Sequence, residues 1–253
     1  MLWYIIFGIV VLFIGLMIVS RIFSLAWRIV KIFLLLGLVF CIVFSIIIFN
    51  DIKDFKNNFT NSSNIILLED ESHSLYALME TDFSKADEAE SMEDIADFYN
   101  RTELKEAENY YKKEDFDELL KDNYKIICLN FRILEDFNET EFPIEDISLT
   151  GREIIEIIRS ENPLDSFAEV YSLKASMPKS DVMAEFENEL NSQDIRNYLF
   201  GSFVGELFGP TNSVKLIKHI TNGDIKFYPR TLMMKTMGLV PDFLIEKIAN
   251  QNQ

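Results

Sequence analysis

The sequence predicts an α+β protein: an N-terminal two-helix transmembrane hairpin followed by a helix-rich soluble domain with a small, mainly antiparallel sheet. Three observations predict it. Residues 1–50 contain no Asp or Glu and only three of the 24 bases, Arg21, Arg28 and Lys31. The rest of the 253-residue chain therefore carries all 41 acids and the other 21 bases, a net charge of −20 against −17 for the whole. Within that acidic part, helical spacings outnumber alternating ones, and strands are not evenly interleaved with helices.

The membrane segment comes first. Residues 1–20 and 32–49 are uncharged, and each is long enough to cross a bilayer, which takes about 20 apolar residues. One helix of that combined length would run roughly 73 Å, far beyond a hydrocarbon core of ~30 Å. Two spans are therefore expected, at about 1–20 and 32–49, joined by RIFSLAWRIVK. In that connection Arg21, Ser24, Arg28 and Lys31 fall on one helical stripe. It reads as a short amphipathic bend at the interface, with Trp27 at headgroup depth. The start MLWYIIF lacks the basic n-region of a cleaved signal peptide, and no A-x-A-like site follows.

Bases favour the cytoplasmic side. The connection carries three, while Lys53 and Lys56 beyond residue 49 are diluted by Asp51 and Asp54. That count places the acidic domain outside the cytoplasm, with the plasma membrane as the expected location. N-glycosylation sequons at Asn58, Asn61, Asn100 and Asn138 lean the same way. Two stripes of small residues, Gly8 with Gly15 and Gly37 with Cys41 and Ser45, would let the spans pack closely on each other or on a partner helix.

Residues 51–63 read as a helical turn and linker, and 64–253 as the soluble domain. Apolar runs at 65–68 and 75–79 flank Glu69, Asp70, Glu71 and His73, a β-hairpin with a charged tip. Residues 84–122 should form two or three amphipathic helices, and YKIICLNFRIL (124–134) a strand followed by an acidic loop. Thr150-Gly-Arg-Glu153 matches a capping box for a helix ended by Asn162-Pro163. FAEVYSLKAS (167–176) alternates like a strand. Helices should follow from Ser180 and from Asp194, then a helix at 213–221, the strand DIKFY, and two short helices around Gly238 and Pro241. Gly201, Gly205 and Gly209 recur every four residues in NYLFGSFVGELFG. Each glycine inside a helix costs about 1 kcal/mol, so close packing or an apolar-ligand pocket should offset them.

Function is legible mainly by exclusion. A domain this acidic repels nucleic acid and anionic lipid headgroups. With two cysteines, Cys41 and Cys128, and two histidines, His73 and His219, the chain lacks the ligands of a structural zinc site and has no disulfide framework. G-x-S-x-G, P-loop, dinucleotide-binding and EF-hand patterns are missing. Cys128 reads as a buried core thiol. Carboxylates crowd the hairpin tip and residues 87–97, where a solvated face is the simpler reading than a cation site, and His73 beside acids marks a pH-sensitive position. No cofactor, metal or catalytic residue is assigned. The expectation is a non-enzymatic interaction, scaffold or sensor domain held at a membrane, with a protein partner or second copy. A lipid-binding domain is the alternative, and a hydrolase using acidic residues comes after it.

Overall fold

The structure, a computed structural model, describes residues 2–85, 95–186, 191–209 and 212–237. It is α+β, and the chain divides into two units, residues 1–51 and 52–253. The described residues of the first unit are helical, as part of α1 (Leu2–Phe59). The expected hairpin does not form, because α1 runs unbroken through RIFSLAWRIVK. The local chemistry explains this: the stretch has no Pro to remove an i→i−4 hydrogen bond and no Gly to loosen the backbone. Nearly every side chain from Trp27 to Phe49 is exposed, and Lys31 lies 5.6 Å over the Trp27 ring.

In the second unit, α1 continues through residues expected as a linker. Its last turn carries Phe55 and Phe59, which stack on each other and pack against the domain core. The Asn64 amide donates to the Phe59 carbonyl at 2.9 Å, closing the helix end. Next come β1 (Ser63–Glu69) and β2 (Leu75–Asp82), the antiparallel hairpin expected at that place. The following segment differs from expectation. The acidic run 87–94 lies outside the described residues, Asp97 sits in a short strand, β3 (Ala96–Phe98), and only then do α2 (Arg101–Lys112) and α3 (Phe116–Leu120) appear.

Strand β4 (Lys125–Asn130) ends at Asn130, and Arg132–Glu135 turns into the short helix α4. The expected loop then holds a second hairpin, β5 (Glu141–Ile144) and β6 (Ile147–Thr150). Thr150 caps α5 (Gly151–Arg159) with Glu153 in a reciprocal box. FAEVYSLKAS is helical, not a strand, within α6 (Pro163–Ala175). Its buried residues Leu164, Phe167, Ala168 and Tyr171 keep i, i+3, i+4, i+7 spacing, and Pro163 opens the helix. The chain continues with α7 (Lys179–Phe186), α8 (Ser192–Leu207), α9 (Ser213–Asn222), β7 (Ile225–Tyr228) and α10 (Leu232–Met237). The short helices expected beyond Gly238 lie outside the described residues.

The main sheet has the order β3-β2-β1-β4-β7. It is mixed: β1 pairs with β4 in parallel and the other neighbours are antiparallel. Residues 64–69 of β1 are all buried, as a central strand covered on both faces requires. One face, with Ile66, Leu68, Ile127 and Leu129, meets the large helical core that includes Phe200 and Phe203 of α8. The other, with Ile65, Leu67, Ile126 and Cys128, meets Leu104 and Tyr111 of α2 and Leu119 of α3.

Gly151 is a close backbone approach, since a Cβ there would lie 2.1 Å from the Phe137 carbonyl oxygen. Gly151→Ala should therefore destabilise the protein by about 1–3 kcal/mol. Thermal unfolding of the purified chain checks this, with Tm expected to fall by several degrees; an unchanged Tm would count against the packing described here.

Candidate functional site

The alternation of β1 puts Ile65, Leu67 and Glu69 on the face covered by α2. Two apolar residues enter the core, and a carboxylate follows them to the C-terminal end of the strand. A register shift between Leu68 and Glu69 marks the place. Glu69 is 1% exposed, so each of its oxygens needs a partner. Tyr111 of α2 donates its hydroxyl to Oε2. The His73 Nδ1 lies 2.9 Å from the same oxygen, and the Lys226 ammonium of β7 lies 3.2 Å from Oε1. His73 adopts φ 60, one of the left-handed positions that non-glycine residues occupy rarely.

Cys128 of β4 lies on the same sheet face, opposite Lys226 in the β4–β7 register. Burial, with Glu69 nearby, pushes its thiol up to about 12, so it stays protonated at neutral pH. Burial, then Cys128 and Glu69, also drive the Tyr111 hydroxyl far up, and it remains a donor. Asp70, next to Glu69, serves the turn instead. Its Oδ1 accepts from the Ser72 and Ser74 amides at 2.8 and 2.9 Å. Burial pushes that carboxyl up, but the bonds from Ser72, Ser74 and Tyr76 outweigh it and hold it below the usual carboxylate range.

The hairpin tip borders an open cavity of about 410 Å³, whose lining includes Asp70, Tyr76, Asn130, Phe131, Arg132 and Arg159. It sits at the C-terminal ends of the parallel pair β1 and β4, a favoured ligand position in parallel sheets. Both arginines are engaged: Arg132 forks onto Glu71, and Arg159 lies 4.5 Å over the Phe131 ring. A second groove of about 390 Å³ is acidic, with Glu80, Asp97, Glu103, Glu106 and Glu118 around Tyr99 and Tyr110. Among the described residues no group of three His, Cys, Asp or Glu side chains has the geometry to hold a metal ion. His219 of α9 is buried between two carboxylates. Its Nδ1 lies 3.1 Å from Asp224, and its Nε2 lies 3.3 Å from Asp136 without hydrogen-bond alignment.

Of the residues marked in the sequence, the structure joins Glu69 with His73 and sends Glu71 to Arg132. Tyr111 and Lys226, the other partners of Glu69, carry no mark in the local pattern, for they lie 42 and 157 residues from it. Gly201 is buried in α8 and Gly205 half-buried, while Gly209 falls past the helix end beside the Glu206 carbonyl. Gly8, Gly15, Gly37, Cys41 and Ser45 all lie on α1. A Cβ at Gly37 would meet nothing within 4 Å, and Ser45 donates to the Cys41 carbonyl at 2.7 Å. Asn61 and Asn100 are exposed, Asn58 and Asn138 half-buried, and Asn100 caps α2.

Comparison with known proteins gives no match to a family model, a curated protein or a solved structure.

The Glu69 cluster ties β1, the hairpin tip, α2 and β7 together through one carboxylate. Lys226→Met should leave Glu69 Oε1 unsatisfied and cost about 1–3 kcal/mol. Chemical denaturation measures this. Adding Glu69→Gln should recover part of the loss, since the buried charge is then gone, and strictly additive losses would mean the two side chains do not interact.

Proposed function

We propose that this chain is a membrane-anchored protein whose acidic α+β domain is a non-enzymatic interaction or sensor domain on the outer side of the plasma membrane. The observation that carries the reading is α1. Its Trp27–Phe59 portion contains an 18-residue window of mean hydropathy 3.3, none of it buried within the protein. Such a surface is expelled by water and accepted by a bilayer. Orientation rests on the bases: Arg21, Arg28 and Lys31 precede residues 32–49, and acids dilute the bases that follow.

Support for an interaction role comes from the polar cluster. Glu69 is saturated by Tyr111, His73 and Lys226, and the Cys128 thiol beside it is held protonated. That arrangement ties segments together and leaves no activated nucleophile next to a base. A domain anchored in this way acts through what it binds.

A membrane-impermeant amine cross-linker applied to intact cells tests both halves of the proposal. The expected product is the chain joined to a second polypeptide before lysis. Cross-linking only after lysis would put the domain inside, and a purely monomeric chain under both conditions would contradict the interaction role.

A further inference from the structure

The open cavity of about 410 Å³ at the hairpin tip is lined by charges of both signs, and two of them are unpaired. The first is Arg159, in the last turn of α5. Its guanidinium lies 4.5 Å over the ring of Phe131, and Tyr76 meets that ring edge-on with centroids 4.8 Å apart. Phe131 is 2% exposed and belongs to the main core, so the platform under Arg159 is fixed. Among the described residues Arg159 pairs with no carboxylate and donates no hydrogen bond. That is unexpected where residues 51–253 hold 41 acids against 21 bases.

The acids that share the cavity explain it. Asp70 is taken up by the turn: its Oδ1 accepts from the Ser72 and Ser74 amides and the Ser72 hydroxyl, and its Oδ2 from Tyr76. Glu71 holds Arg132 in an exposed ion pair, a kind that contributes little. Glu135 of α4 is the second unpaired charge; it is exposed and forms no ion pair among the described residues. The Asn130 side chain accepts from the Arg132 amide at 3.0 Å, and its own NH2 group has no acceptor among the described residues.

A simple anion would meet three carboxylates here, and a simple cation two guanidiniums. A molecule carrying both charges satisfies the free guanidinium and the free carboxylate together. The volume is that of a small-ligand site, and the cavity lies at the C-terminal ends of the parallel pair β1 and β4. Three acids against two bases disfavour a further negative charge on the ligand.

We infer that this cavity binds a free α-amino acid with an uncharged side chain, its carboxylate on the Arg159 fork and its ammonium on Glu135. Asn130 supplies a further donor. The inference deepens the sensor reading above and takes its biological meaning from it, while the binding itself involves only residues of the acidic domain.

The test is isothermal titration of the full chain in detergent with each standard L-amino acid whose side chain is uncharged. At least one should bind, one molecule per chain. Its N-acetyl derivative, which lacks the ammonium, and its amide, which lacks the carboxylate, should each bind about ten-fold more weakly or not at all. Glu135→Gln should weaken the amino acid by a similar factor and leave the N-acetyl derivative unaffected; Arg159→Gln should do the same with respect to the amide. The derivatives are compared on the unaltered chain, so that arm is independent of any variant's folding. Binding by none of the amino acids overturns the inference. So does equal binding of the N-acetyl derivative, which would make the cavity a plain anion site, and so does unchanged affinity in both variants, which would place the ligand elsewhere. Cross-linking to a second polypeptide needs no amino acid, so failure of this site and failure of the interaction reading are told apart.

Discussion

Eighteen consecutive uncharged residues, 32–49, need an apolar environment that the acidic domain does not provide. Its sheet is covered on both faces by its own side chains, from Phe200 and Phe203 on one side and from Leu104, Tyr111 and Leu119 on the other. The apolar run is exposed along almost its whole length. Water penalises that surface in proportion to its area, so the bilayer is the natural solvent for α1.

Inside the domain, the parallel pair β1–β4 organises the rest. Its residues are buried from both sides, so the strands read as apolar runs, and polar groups appear only where the strands end. Glu69 is the place where that rule costs most. A carboxylate at the end of a buried strand has to be matched, and the matching groups are His73 on the same hairpin and, from two remote segments, Tyr111 on α2 and Lys226 on β7. Beside the same strand β7, Arg230 of the following loop and Lys235 of α10 line a cavity with Lys226.

Local chemistry was legible in the sequence. The β1–β2 hairpin announces itself through two apolar runs around a charged tip, and the Thr150–Glu153 box through its spacing. Three features were hidden for physical reasons. FAEVYSLKAS satisfies an alternating pattern and a helical one at once, and only the packing of Leu164, Phe167, Ala168 and Tyr171 decides between them. The hairpin strands at 141–150 are four residues each, with Pro143 inside the first, too short to stand out from an acidic loop. The Glu69 cluster depends on strand order, which brings β7 next to β4 and β4 next to β1 across most of the chain. The bend expected at residues 21–31 came from comparing helix length with bilayer thickness. Nothing in the residues themselves breaks the helix there, and the structure follows the residues.

Alkaline carbonate extraction of membranes from cells producing the full chain tests the central claim most directly. An integral anchor keeps the protein in the sedimented membranes at high pH and releases it only with detergent, which is the result this account predicts. Recovery of the chain in the carbonate supernatant would contradict it, because α1 would then be covered by something other than lipid.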